Sequence, residues 1–180
     1  GSELTEKNGL GVHANADNPR DAKKAREFGA TGIGLCRTEH MFMEVERLPI
    51  VQEMILAENA EARKAPLEKL LAFQQGDFYG ILDSMQGLPT TIRLLDPPLH
   101  EFLPNMEKLM LEINDLKHTG GAAEVIEEKE ELLKKVRALH EMNPMLGHRG
   151  CRLGVSFPDI YRMQARAILQ ATAQLIKEGK

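Results

Sequence analysis

The feature that most constrains this chain is an alternation of short apolar runs with longer helical stretches, met four times in 180 residues. Leu10 to Ala16 reads as a first strand. Asn18-Pro19-Arg20-Asp21 then opens a helix, with a capping Asn, a Pro at the first helical position and an acid at the positive end of the dipole. Ala22, Ala25 and Phe28 supply its apolar stripe, and Gly29 ends it. Thr31 to Cys36 is a second, buried strand ending at Arg37. A long helical region follows, with apolar positions from Ile50 to Leu82, broken at Gly87-Leu88-Pro89. Thr90 to Leu95 is a third strand, stopped by Asp96-Pro97-Pro98, through which no helix continues. A charged helical stretch from about Asn105 to Glu141 is interrupted near Thr119-Gly120-Gly121. Asn143 to Cys151 carries a fourth short strand, and Phe157-Pro158 opens a last helix with Ile160, Met163, Ala167, Ile168, Ala171 and Leu175 on one face.

A strand, a crossover of a dozen or more residues and another strand force parallel pairing. Four such units predict an α/β fold with a parallel sheet and helices outside it. A doubly wound sheet and a barrel share this pattern. A complete eight-unit barrel needs about 250 residues, more than the chain supplies.

Three arginines fall at or just after predicted strand ends: Arg37, Arg93 and Arg149. In parallel β/α folds those ends share one rim, where ligands bind. The guanidinium fork suits phosphate and carboxylate, to which it makes two parallel charge-assisted bonds. The net charge is −4, so a basic cluster on one rim is a local feature. The same balance argues against nucleic acid and anionic membranes as partners, since both need a basic excess, and Trp is absent. No apolar run reaches the roughly 20 residues of a membrane span.

Other constellations carry less. Cys36 and Cys151 each precede an arginine, and are read as reduced thiols of a cytoplasmic protein. His13, His40, His100 and His148 show no metal-binding spacing, and no metal site is expected within the chain. Gly29, Gly32 and Gly34 enter a strand instead of leaving one, the wrong order for a dinucleotide fingerprint. The run from Glu124 to Lys135 is a solvated helix face. Gly1-Ser2, with no Met, reads as a cloning or protease scar, and 1–7 as a lead into one unit at 8–180 with a helical insertion at about 105–142.

Asn15-Ala16-Asp17 and Gly32-Ile33-Gly34-Leu35-Cys36-Arg37-Thr38-Glu39-His40-Met41-Phe42 resemble the opening of the C-terminal barrel of phosphoenolpyruvate-utilising enzymes. Arg93-Leu94-Leu95-Asp96-Pro97-Pro98-Leu99-His100-Glu101-Phe102 and Asn143-Pro144-Met145-Leu146-Gly147-His148-Arg149-Gly150-Cys151-Arg152 resemble the branch of pyruvate, phosphate dikinases, as does the charged insertion. The resemblance runs through nearly the whole chain after Lys7. It implies the first half of a (β/α)8 barrel, four parallel strands with outer helices, from first strand to fourth helix.

The resemblance also implies a phosphotransferase parent that interconverts ATP, pyruvate and phosphate with AMP, phosphoenolpyruvate and diphosphate. Arg37 and Arg93 then contact the phosphate of phosphoenolpyruvate, with Arg149 a third member and Asn15 a lesser candidate. Mg²⁺ supports the phosphoryl group as it moves to a histidine on a mobile domain. Its Glu and Asp ligands, and the cysteine that protonates the pyruvate enolate, belong to later strands. Glu39, Asp96 and Glu101 have Mg²⁺-binding chemistry, but the resemblance does not point to them. A phosphoenolpyruvate synthase is a second reading, which the segment from Pro97 to Phe102 argues against. A third is an inert half-barrel that self-associates through edges near Val12 and Met145, or through an open face bearing Ile33, Leu35, Ile92 or Leu94.

Overall fold

A computed structural model of the chain describes residues 9–140 and 146–180. Three strands, β1 (His13–Asn15), β2 (Gly32–Arg37) and β3 (Thr90–Arg93), form one sheet in the order β1-β2-β3. Both pairings are parallel. This sequential order occurs both in a barrel and in one half of a doubly wound sheet.

Helix α1 (Pro19–Glu27) joins β1 to β2. The Asn18 side chain accepts from the Asp21 amide at 2.8 Å, Pro19 opens the helix and Ala22 is fully buried. Gly29, at φ +88°, turns the chain out of it in a conformation that a side chain would strain. The single long helical region of the sequence reading is three helices: α2 (Thr38–Phe42), α3 (Leu48–Leu56) and α4 (Ala60–Ser84), the last capped by Asn59. After β3 come a 3-10 turn (Leu99–Phe102), α5 (Met106–Thr119), α6 (Ala123–Leu139), α7 (Cys151–Ser156) and α8 (Pro158–Lys177). Helices α5 and α6 are the charged insertion, an antiparallel pair turned at Gly120 (φ +75°) and tied by Lys117–Glu130 and Lys129–Glu112.

Helix α4 packs against α1 on one side and α8 on the other, so the crossover helices form one layer. The core lies between this layer and the sheet. Phe42, Phe78, Phe102, Met54, Leu70 and Ile160 are among its largest members, with at most 1% of their surface exposed. No described helix is long and apolar enough to cross a membrane.

Two expectations change. Ile33 does not face an open inner side: it is fully buried in this core, as is Cys36. Ile33 pairs with Thr90 and Cys36 with Ile92, so three steps on β2 oppose two on β3. Such a bulge shifts the alternation of faces by one. Leu35, Ile92 and Leu94 are half-buried. Of the segment read as a fourth strand, Asn143 to Cys151, residues 143–145 lie outside the described residues, Met145 among them. Residues 146–150 form turns, and Cys151 starts α7. Local bonds replace a ladder here: Arg152 Nη1 donates to the carbonyls of Leu146 (2.7 Å) and Gly147 (3.2 Å).

Close approach of α1 and α4 depends on Gly80, where an added Cβ would sit 2.6 Å from Pro19 Cγ. The Pro19 ring cannot swing away. Gly76, one turn earlier, faces open space. Gly80→Val is expected to cost about 1–3 kcal/mol through overpacking. Gly76→Ala is expected to gain up to about 1 kcal/mol from helix propensity. Urea unfolding of the two variants checks the contrast.

Candidate functional site

Arg37 is the last residue of β2 and Arg93 the last of β3, and the two are Cα partners in the ladder. Parallel pairing therefore sets both side chains at one rim. Like charges so placed need counter-charges, and each arginine has one from a nearby chain segment.

Asp17, two residues past the end of β1, accepts from the Arg37 amide at 2.7 Å, from its Nη2 at 2.6 Å and from its Nε at 3.1 Å. A carboxylate that takes Nε and Nη2 leaves Nη1 and its two protons for a further acceptor. His40 Nδ1 lies 2.8 Å from the same carboxylate. Burial pushes the Asp17 carboxyl up. The Arg37 hydrogen bonds and charge, together with His40, more than reverse this and hold it below the usual carboxylate range.

Arg93 Nη2 donates to Glu39 in the first turn of α2, and Arg93 Nη1 lies 3.7 Å from Asp96 Oδ2. Arg149 Nη2 donates to that same Asp96 oxygen. Glu39, Arg93, Asp96 and Arg149 are thus consecutive links of one charge chain. The Arg93 carbonyl accepts from Thr38 Oγ1 at 3.0 Å, which joins this chain to the residue after Arg37. Two buried atoms of the cluster, Glu39 Oε2 and Arg93 Nε, have no hydrogen-bond partner among the described residues. Gly150, next to Arg149, sits at φ +54°, where a Cβ would come 3.3 Å from Asp96 Oδ1. The backbone conformation favours glycine there, and the close carboxylate adds to the crowding.

The structure therefore brings Arg37, Arg93 and Arg149 to one rim. Asn15 ends β1, exposed, with Leu35 as its Cα partner. The carboxylates that hold the arginines were legible only as acids close in sequence to strand ends: Asp17, then Glu39 two residues after Arg37 and Asp96 three after Arg93. Cys36 is buried and its thiol is pushed up to about 12, first by burial and then by the Asp17, Asp77 and Glu39 charges, so it cannot serve as a nucleophile near neutral pH. Among the described residues, no group of three or more His, Cys, Asp or Glu is placed to hold a metal ion.

Guanidinium groups gathered on one rim of a parallel α/β sheet have the chemistry to hold an anion. The family model described as PEP-utilising enzyme, PEP-binding domain, matches residues 2–178, and the chain belongs to that family. It is 61% identical over 170 residues to a pyruvate, phosphate dikinase of Entamoeba histolytica, covering 94% of this chain and 19% of that protein. It is 53% identical over 163 residues to one of Rhizobium meliloti, covering 91% and 17%. Identity to a chloroplastic pyruvate, phosphate dikinase of Arabidopsis thaliana is 52% over 170 residues, covering 94% and 17%. The chain spans about a fifth of the length of these curated relatives.

The depressed Asp17 carboxyl ties stability to pH. Its folded pKa lies below the unfolded one, so the contribution is full above the unfolded pKa and is lost as pH falls through the folded value. Asp17→Asn is expected to flatten the acid limb of the stability curve below about pH 4, while the limb near neutrality keeps its slope. Urea midpoints measured across pH 2 to 7, roughly the window in which carboxylates titrate, give the comparison.

Proposed function

We propose that the chain is the first half of the phosphoenolpyruvate-binding barrel of a pyruvate, phosphate dikinase, and that Arg37 and Arg93, with Arg149, grip the phosphate of phosphoenolpyruvate. The observation that carries the reading is the Arg37–Arg93 register, which sets two guanidinium groups side by side at one rim. The family match and the dikinase names of the relatives support it. The parent reaction is the interconversion of ATP, pyruvate and phosphate with AMP, phosphoenolpyruvate and diphosphate.

The chain's own residues then do three things. Arg37, held side-on by Asp17, offers its remaining N–H groups to phosphate oxygens. Arg93 and Arg149, held through Glu39 and Asp96, add positive charge where the transferring group spreads its negative charge. The rim carboxylates screen the arginines from one another while the site is empty of substrate. Asn15, at the end of β1, is a lesser member of the same rim. The partner that takes the phosphoryl group is a histidine on a mobile domain of the parent, which becomes a phosphohistidine.

When bound, Mg²⁺ supplies further charge neutralisation for that transfer. The described residues do not fit it as a set: Asp17, Glu39 and Asp96 each bind an arginine, and no third donor converges with any pair of them. Its ligands are therefore proposed on the remainder of the parent, in the second half of the barrel. By itself, the chain is proposed to be catalytically inert.

In the full-length parent, Arg37→Ala or Arg93→Ala is expected to lower turnover on the order of 10²–10³-fold, the usual loss for one charge-stabilising donor. The unfolding midpoint should move little by comparison. Wild-type turnover in either variant refutes the assignment.

The isolated chain is expected to self-associate. Leu10 (68% exposed) and Val12 (47%) lead into β1 at the sheet edge, and Leu146 (72%) stands out beyond the insertion. An unpaired strand edge bordered by apolar side chains recruits a second edge. Sedimentation across a concentration series should show a dimer or larger species, and a monomer at every concentration removes the expectation.

A further inference from the structure

We infer that Tyr161 and Gln164, one turn apart on α8, are positioning residues that lock the Arg37, Arg93 and Arg149 segments to one another. The inference rests on the reading of those arginines as the phosphate grip.

The physical need arises where β3 stops. The ladder ends at Arg93, but Leu95, two residues on, is fully buried. A buried peptide cannot leave its N–H and C=O unpaired without a cost comparable to a lost hydrogen bond. Helix α8 serves both groups. Gln164 Oε1 accepts from the Leu95 amide at 2.9 Å, and the Tyr161 hydroxyl donates to the Leu95 carbonyl. The segment between Arg93 and Asp96 is thereby pinned from one helix.

The same two side chains reach the other arginine segments. Gln164 Nε2 donates to Thr38 Oγ1 at 3.0 Å, immediately after Arg37, and to Gln74 Oε1 of α4 at 3.2 Å. Thr38 in turn donates to the Arg93 carbonyl. The Tyr161 hydroxyl also lies 3.0 Å from the carbonyl of Gly150, the residue after Arg149. The Gly150 amide donates to the Asp96 carbonyl at 3.0 Å. Each arginine-bearing segment thus meets α8 within two residues of its guanidinium.

Burial makes the arrangement stiff. Thr38 and Gln164 are fully buried and Gln74 is 1% exposed. A polar network in such surroundings holds its geometry because every alternative leaves a group unsatisfied. Burial, with the Asp96 and Cys151 charges, pushes the Tyr161 hydroxyl up to about 12, so it stays a donor at working pH. The Tyr161 ring packs beside Gly154 and would keep that place without its oxygen.

The test is a double-mutant cycle on phosphoenolpyruvate affinity of the full-length parent, measured by calorimetry. Tyr161→Phe is expected to weaken binding by about five- to tenfold, the value of a positioned hydrogen bond. In an Arg93→Ala/Arg149→Ala background the same change should cost no more than about twofold, because both residues it acts through are gone. An equal loss in both backgrounds, or none in Tyr161→Phe alone, overturns the positioning role. Unchanged affinity in Arg149→Ala alone refutes Arg149 as part of the grip, which is a failure of the functional reading and a separate result. A second cycle, Gln164→Met against an Arg37→Ala/Arg93→Ala background, then decides the positioning role at the ends of β2 and β3 by the same criterion, and does so too if Tyr161→Phe proves poorly folded.

Discussion

Guanidinium groups cannot be gathered on one rim without counter-charges. At the spacing of neighbouring strand ends, two unit charges repel by about 1 kcal/mol in water and by about 4 near a protein surface. The chain answers with one acid for each arginine, taken from whichever segment leaves the sheet next to it: Asp17 after β1 for Arg37, Glu39 in α2 for Arg93, and Asp96 after β3 for Arg149. Every one of these pairs crosses between chain segments far apart in sequence. The placement of charge on the rim and the relative placement of the strands are consequently one problem, with one solution.

The outline of that solution was legible in the residues. The alternation of apolar runs and helical stretches located all three described strands within a few residues, and Asn18-Pro19-Arg20-Asp21 announced α1 as plainly as any cap can. Arg37 is visible as a strand-end residue because the apolar run stops at it, whereas Arg93 lies two residues before the end of the run that stops at Asp96-Pro97-Pro98, and the ladder ends earlier than the run does. Two things were less legible. Ile33 was misassigned because alternation predicts a face only while the ladder is regular, and the shift between Ile33 and Cys36 breaks it. Arg149 reads as following a strand, yet it sits in an irregular segment of turns and bends, beside Gly150 at φ +54°.

The polar core residues were missed for a different reason. Gln164 lies on the stripe formed by Ile160, Met163, Ala167 and Ala171, the position a heptad reading would fill with an aliphatic side chain. Gln74 interrupts the Leu70, Leu71 and Phe78 stripe in the same way. An uncharged polar residue inside an apolar stripe is a signal, but its partners are peptide groups of distant strands, and no local pattern encodes those. Fold class follows from periodicity, which is local. The tuning of a site follows from hydrogen bonds over a separation such as that of Leu95 and Gln164, which is not.

The two cysteines differ in a way that bears on how the rim could be observed. Cys36 is sealed in the core, with its thiol far too basic to ionise near neutrality, whereas Cys151 is exposed and follows the glycine that abuts Asp96. Thiol chemistry on this chain is accordingly one-sided. A maleimide fluorophore or a spin label would attach at Cys151 alone of the two, beside the turn that carries Arg149, and leave the interior untouched. The sequence already supplies a reporter beside the arginine rim, with no engineered cysteine needed.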